Sequence, residues 1–81
     1  MISNQALEQA LQTLEGVCFV SVDGDGHHYA ITLVTDAFVG LNKLARQRWV
    51  YAALNEYILS GQLHAVQLKT WTKAEWEAQR G

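Results

Sequence analysis

The sequence predicts a small α+β domain of element order αββααβα, with one three-stranded mixed sheet and helices packed on one face. Three observations carry this. Apolar residues recur at helical spacing in two separate stretches, and three short segments rich in β-branched and aromatic residues lie between or after them. Two of those segments are joined by a Gly- and Asp-rich turn, which makes an antiparallel hairpin. The third is reached only through the longer helical stretch, a crossover that calls for a parallel neighbour.

Leu7, Leu11 and Leu14, with Ala6 and Ala10, mark the first helix, which Ser3 or Asn4 can cap and Gly16 can follow in a left-handed turn. Residues 17–22 read as the first strand, and Asp23-Gly24-Asp25-Gly26 as the turn. From His28 to Thr35, Tyr29, Ile31 and Leu33 alternate with Ala30, Thr32 and Val34, giving a strand with two distinct faces. The stretch from Asp36 to Gly40 has room for one helical turn. Asn42 then caps a long helix to Leu59, whose buried stripe is Val50, Leu54, Tyr57 and Ile58. Ser60-Gly61 ends it, and Leu63 to Trp71 reads as the third strand. Thr72-Lys73-Ala74-Glu75 has capping-box spacing and opens a last short helix carrying Trp76.

At 81 residues the chain has room for one core, so residues 1–81 are read as one domain. Hydrophobic residues at 49% and charged residues at 17% are the balance of a globular chain rather than a disordered one. A net charge of −2 provides no long-range pull toward phosphate backbones or anionic lipid. The single Cys18 cannot form an intramolecular disulfide, which favours a reducing compartment. The start has no basic segment followed by an apolar one, and no stretch approaches the roughly 18 apolar residues of a membrane span. A cytoplasmic protein with no membrane association is therefore expected.

The groups able to carry chemistry are few: Cys18, the tandem His27 and His28, His64, and the loop carboxylates Asp23, Asp25 and Asp36. No phosphate loop, Cys-x-x-Cys, nucleophile elbow or His-Glu-x-x-His is present, so an enzyme is not expected. Asp23-Gly24-Asp25-Gly26 lacks the longer ligand ladder of a calcium loop and reads as a hairpin turn. Cys18, inside a strand, is expected to be a small buried hydrophobe. His27 and His28 are adjacent and so face opposite ways on a strand, which allows only one of them to aim at a given site. By residue type alone both read equally as solvent-exposed turn histidines. His64, at the opening of the third strand, can keep one ring nitrogen for a ligand, or can simply be structural.

Beyond these readings, Val34-Thr35-Asp36-Ala37-Phe38-Val39-Gly40-Leu41, the helical run Arg46-Gln47-Arg48-Trp49-Val50-Tyr51-Ala52-Ala53-Leu54, and Leu63-His64-Ala65-Val66-Gln67-Leu68-Lys69-Thr70-Trp71-Thr72 resemble stretches characteristic of the BolA family. The last is the most specific, and Gly24-Asp25-Gly26-His27-His28-Tyr29 resembles the short hairpin loop of the IbaG-type branch. The likeness spans about residues 17–76. It implies a fold related to class II KH domains and a role in iron–sulfur cluster trafficking, or in iron, redox and stress regulation. In that role the domain shares a [2Fe–2S] cluster with a monothiol glutaredoxin and its bound glutathione. The resemblance assigns His64 as one iron ligand and His28 as the second, with His27 as the alternative, and leaves the isolated chain without a cluster. Imidazole ligands would make cluster binding sensitive to protonation.

The KH relationship implies a second reading, a nucleic-acid-binding transcriptional regulator using Gly40, Lys43 and Arg46. Gly40-Leu41-Asn42-Lys43 lacks the second glycine of the phosphate-clamping Gly-x-x-Gly loop. Trp49, Trp71 and Trp76 are candidates either for docking or for the core, and a homodimer is left open.

Overall fold

The computed structural model describes residues 1–80, in the order α1 (Asn4–Gln12), β1 (Val17–Gly24), β2 (His28–Thr35), a 3-10 turn (Asp36–Phe38), α2 (Lys43–Leu59), β3 (Ala65–Trp71) and α3 (Lys73–Arg80). The sheet runs β1-β2-β3, with β1 antiparallel and β3 parallel to the central strand. The element order and the mixed sheet are those the sequence predicts.

One face of the sheet carries Val22, Tyr29, Ile31 and Leu33, and Leu7 and Leu11 of α1 and Val50 and Leu54 of α2 close over it in a single buried cluster. Tyr57 and Ile58 pack at its margin. Ser3 caps α1, its side chain accepting from the Ala6 N–H, and Asn42 caps α2 in the same way toward Ala45. Phe38, on the one-turn helix, is fully buried and meets Trp49 edge-on at 5.2 Å between ring centroids.

The helices divide between the two faces. Strand register puts Phe19 opposite Val34 and Val34 beside Trp71, all on the side away from α1 and α2. Trp76 of α3 stacks on Phe19 at 5.1 Å and tilts toward Trp71 at 6.3 Å. Val34 is consequently fully buried although it lies on the outer face. The expected one-sided packing therefore describes α1 and α2, while α3 covers one end of the other side.

Two boundaries and one burial differ from expectation for identifiable reasons. The hairpin strands extend to Gly24, paired with Tyr29, because the Tyr29 ring occupies the space a side chain at 24 would need; a Cβ there would lie 2.7 Å from Tyr29 Cδ1. Cys18 sits at a register shift between Val17 and Phe19, a β-bulge on an edge strand. It is exposed, not buried as expected, because the extra residue takes no place in the inward alternation; its thiol donates to the Val34 carbonyl at 3.5 Å. The third strand begins at Ala65 rather than Leu63. Leu63 is drawn into the core, 1% exposed, with its N–H bonded to the Tyr57 carbonyl.

That last shift depends on how α2 ends. Gly61 adopts φ +80°, its N–H bonds to the Ile58 carbonyl, and the Gln62 N–H reaches back to Tyr57, the pairing of a Schellman turn. A Cβ at Gly61 would meet nothing within 4 Å. Gly61→Ala is therefore expected to cost only the left-handed backbone strain, about 1 kcal/mol, measured by urea denaturation.

The C-terminal helix is held by a charge tie. Arg46 of α2 forms a fork with Glu75, at 2.7 and 3.1 Å, and also donates to the carbonyls of Leu41 and Thr70. Glu75 closes the expected capping box, accepting from the Thr72 N–H while its own N–H donates to Thr72 Oγ1. The Arg46 guanidinium, then the Thr72 N–H, hold the Glu75 carboxyl down at about 2. A carboxylate depressed on folding stabilises the fold above its unfolded value, near 4.5, and loses that contribution as pH falls from there toward about 2. Acidification through this window is expected to loosen α3, read as a change in tryptophan fluorescence that is lost in a Trp76→Phe variant. The Glu75→Gln variant should show that change already at neutral pH.

Candidate functional site

The histidines converge on one end of the sheet. His28 is the first residue of β2 and is paired with Ala65, the first residue of β3. His64 immediately precedes Ala65, outside the strand rather than opening it. The pairing of His28 with Ala65 thus brings His64, the residue before it, beside the start of β2. Both residues are exposed. His27 is also exposed but lies one residue out, beyond the start of β2.

The hairpin loop is braced by a carboxylate. Asp25 Oδ1 accepts from the backbone N–H groups of His28 at 2.8 Å and His27 at 2.9 Å, and the Asp25 N–H donates to the His28 carbonyl. These donors, His28 first, hold the Asp25 carboxyl below the usual carboxylate range. Its second oxygen lies 3.9 Å from His28 Nδ1.

A second set of contacts binds the two histidine-bearing segments to each other. The Ile2 N–H donates to the Gln62 carbonyl, two residues before His64, while the Ile2 carbonyl accepts from the Tyr29 hydroxyl, one residue after His28. Asn4 adds a bond from its side-chain amide to the Gly24 carbonyl. Ile2 and Tyr29 are thus positioning residues that sequence reasoning missed, and Asp25, read there only as a loop carboxylate, takes the same role. An Asp two or three residues before the histidines was the available signal for Asp25, whereas the Ile2 bridge joins residues far apart in the chain and left none.

Beside His28, a shallow depression of about 530 Å³ opens on the outer face of the sheet. Ala30 and Ala65 contribute no bulk to it, and Asp23, Asp25 and Gln67 supply its polar groups. The small side chains leave the sheet end open to something flat or protruding. Among the described residues, no three His, Cys, Asp or Glu side chains cluster as a metal site. Two imidazoles are half of the about four ligands a [2Fe–2S] cluster takes. A cluster held by them would need two further ligands from elsewhere.

The residues of the nucleic-acid reading fall at the opposite end of β3. Gly40 is in the turn before α2, and Lys43 is exposed on its first turn, beside a depression of about 600 Å³ that Lys69 and Trp71 also line. Arg46 is not free to meet a phosphate: its side chain is 14% exposed, forked on Glu75 and positioned 5.8 Å over the Phe38 ring. The structure thus moves Arg46 from the candidate site to the framework. The three tryptophans are all partly buried, Trp49 against Phe38 and Trp76 against Phe19, with Trp71 beside Trp76.

Among the described residues no helix is long and apolar enough to cross a membrane. Residues 2–75 match the family described as BolA, BolA-like protein. Over 79 residues the chain is 34% identical to the acid stress protein IbaG of Escherichia coli K12, covering 98% of this chain and 94% of that one. It is also 43% identical over 54 residues to the Escherichia coli DNA-binding transcriptional regulator BolA, covering 67% of this chain and 50% of that protein. The structure of a bolA protein homologue from Coxiella burnetii superposes with a TM-score of 0.84 at 36% identity, covering 95% of this chain and 99% of that one. With a family match over nearly all its length, and with relatives that share both its sequence and its α+β architecture, the chain belongs to the BolA-like family.

Proposed function

We propose that this domain is a cytoplasmic adaptor that docks on a monothiol glutaredoxin and caps a shared [2Fe–2S] cluster with His64 and His28. The partner's cysteine and the thiol of its bound glutathione are the other two ligands. The cluster is cargo, handed on or retained according to the partner's state, and nothing is turned over. The observation that carries the reading is the placement of two exposed imidazoles at neighbouring strand ends, with their segments tied through Ile2. The chain's part is to present two imidazole nitrogens from neighbouring strand ends, with Asp25 holding the loop and the depression beside His28 leaving room for the partner. The likeness to an acid stress protein agrees with a site built on imidazoles, since protons compete with the metal for them.

The test mixes the protein with a cluster-loaded monothiol glutaredoxin and records visible absorption and circular dichroism. A new spectrum is expected, and an unchanged one overturns the reading.

A second reading, nucleic-acid binding, draws on the likeness to a DNA-binding regulator and on Lys43 and Lys69 beside the second depression. A net charge of −2 and the engagement of Arg46 weigh against it. Binding that falls steeply with salt and is lost in Lys43→Ala with Lys69→Ala would favour it.

A further inference from the structure

The outward side of α2 is more apolar than a solvated helix face needs to be. Leu59 is 78% exposed, Leu44 55% and Tyr51 40%, and Arg48, Ala52 and Asn55 complete the same exposed stripe. Its apolar ends are matched about a point midway between Tyr51 and Ala52. Turned end for end, Leu44 falls on Leu59, Arg48 on Asn55, and the large Tyr51 on the small Ala52. Glu56, next to Asn55, is also exposed, and among the described residues neither Arg48 nor Glu56 has an ion-pair partner within the chain.

We infer that this face is an interface between two copies of the chain, paired through antiparallel α2 helices about a two-fold axis between Tyr51 and Ala52. A two-fold interface must be self-complementary, with each residue meeting its mirror position. In this stripe the end leucines, and the large Tyr51 against the small Ala52, fall on mirror positions, and Arg48 stands one residue from the mirror of the partner's Glu56. Ala52 lets the backbones approach at the centre, Leu44 of one protomer covers Leu59 of its partner, and Arg48 reaches the partner's Asn55 and Glu56. A 17-residue helix is about 25 Å long, so the pair covers less than the roughly 1,600 Å² of a standard stable interface. The dimer is therefore weak and reversible. It is independent of the cluster reading, because it uses none of the histidines.

Disulfide trapping tests the register without depending on affinity. In a Cys18→Ser background, Ala52→Cys places two thiols beside the axis, whereas Leu44→Cys places them about 22 Å apart along it. Mild air oxidation is expected to link Ala52→Cys into a covalent dimer at least tenfold faster than Leu44→Cys. A mixture of Leu44→Cys and Leu59→Cys should form the crossed product. Equal linking of Ala52→Cys and Leu44→Cys, the behaviour of a face meant for another partner, overturns the proposal. So does a monomer at 1 mM in sedimentation equilibrium of the unmodified chain. Arg48→Glu should abolish self-association and Arg48→Glu with Glu56→Arg should restore it; association unchanged by the single reversal also counts against it.

Discussion

His64→Ala is expected to abolish the change in visible circular dichroism that accompanies mixing with a cluster-loaded monothiol glutaredoxin, while leaving the fold intact. His64 is exposed and just outside β3, so its imidazole contributes nothing to the buried cluster and its removal leaves no cavity. The loss would be one of ligation. His28→Ala should do the same, and His27→Ala should retain most of the signal. The asymmetry follows from position, because His28 begins β2 opposite the residue that follows His64, whereas His27 lies one residue further out. If His27→Ala alone silences the signal, the loop ligand is His27. If all three variants behave as the unmodified protein does, the shared-cluster reading is lost. Acidification should also release the cluster reversibly, as protons take the lone pairs the metal needs.

Phe38→Ala should be the most damaging single substitution in the core, at about 3–5 kcal/mol. A domain of this size holds only roughly 4–12 kcal/mol in all. Phe38 is fully buried on a single helical turn, where its ring meets Trp49 edge-on and lies 5.8 Å beneath the Arg46 guanidinium. Truncation removes the surface on which Arg46 rests as well as the core contact. The loss should therefore extend to α3, which Arg46 holds through Glu75. At about 4–8 °C per kcal/mol for a domain of this size, thermal unfolding should shift down by roughly 12–40 °C. Circular dichroism melting checks this, and Phe38→Leu, which keeps most of the volume, should recover the greater part.

The order of elements was legible because each is encoded locally. The leucines of α1 and the Val50 and Leu54 spacing of α2 repeat at the helical period, the hairpin strands alternate, and Ser3, Asn42 and Thr72 stand where caps are needed. Parallel pairing of β3 followed from the helical crossover before it. The two histidines of the candidate pair and the Asp- and Gly-rich loop were also visible, as were the stretches that resemble the family.

What the sequence by itself determined, then, was which segments become helix or strand and which few side chains have metal-ligating chemistry. Only the tertiary structure decided where those side chains stand. The bulge that exposes Cys18 depends on the register of β1 against β2, and the late start of β3 depends on Leu63 being pulled into a core assembled from every element. The side of the sheet that α3 takes depends on Trp76 finding Phe19, and the use of Arg46 depends on Glu75, 29 residues away. The juxtaposition of His28 and His64 rests on a parallel pairing across α2 and on the Ile2 bridge. Local periodicity reports only on neighbours within a turn or two, whereas register, bulges and long-range bonds are settled by which partners a segment meets when the chain closes on itself.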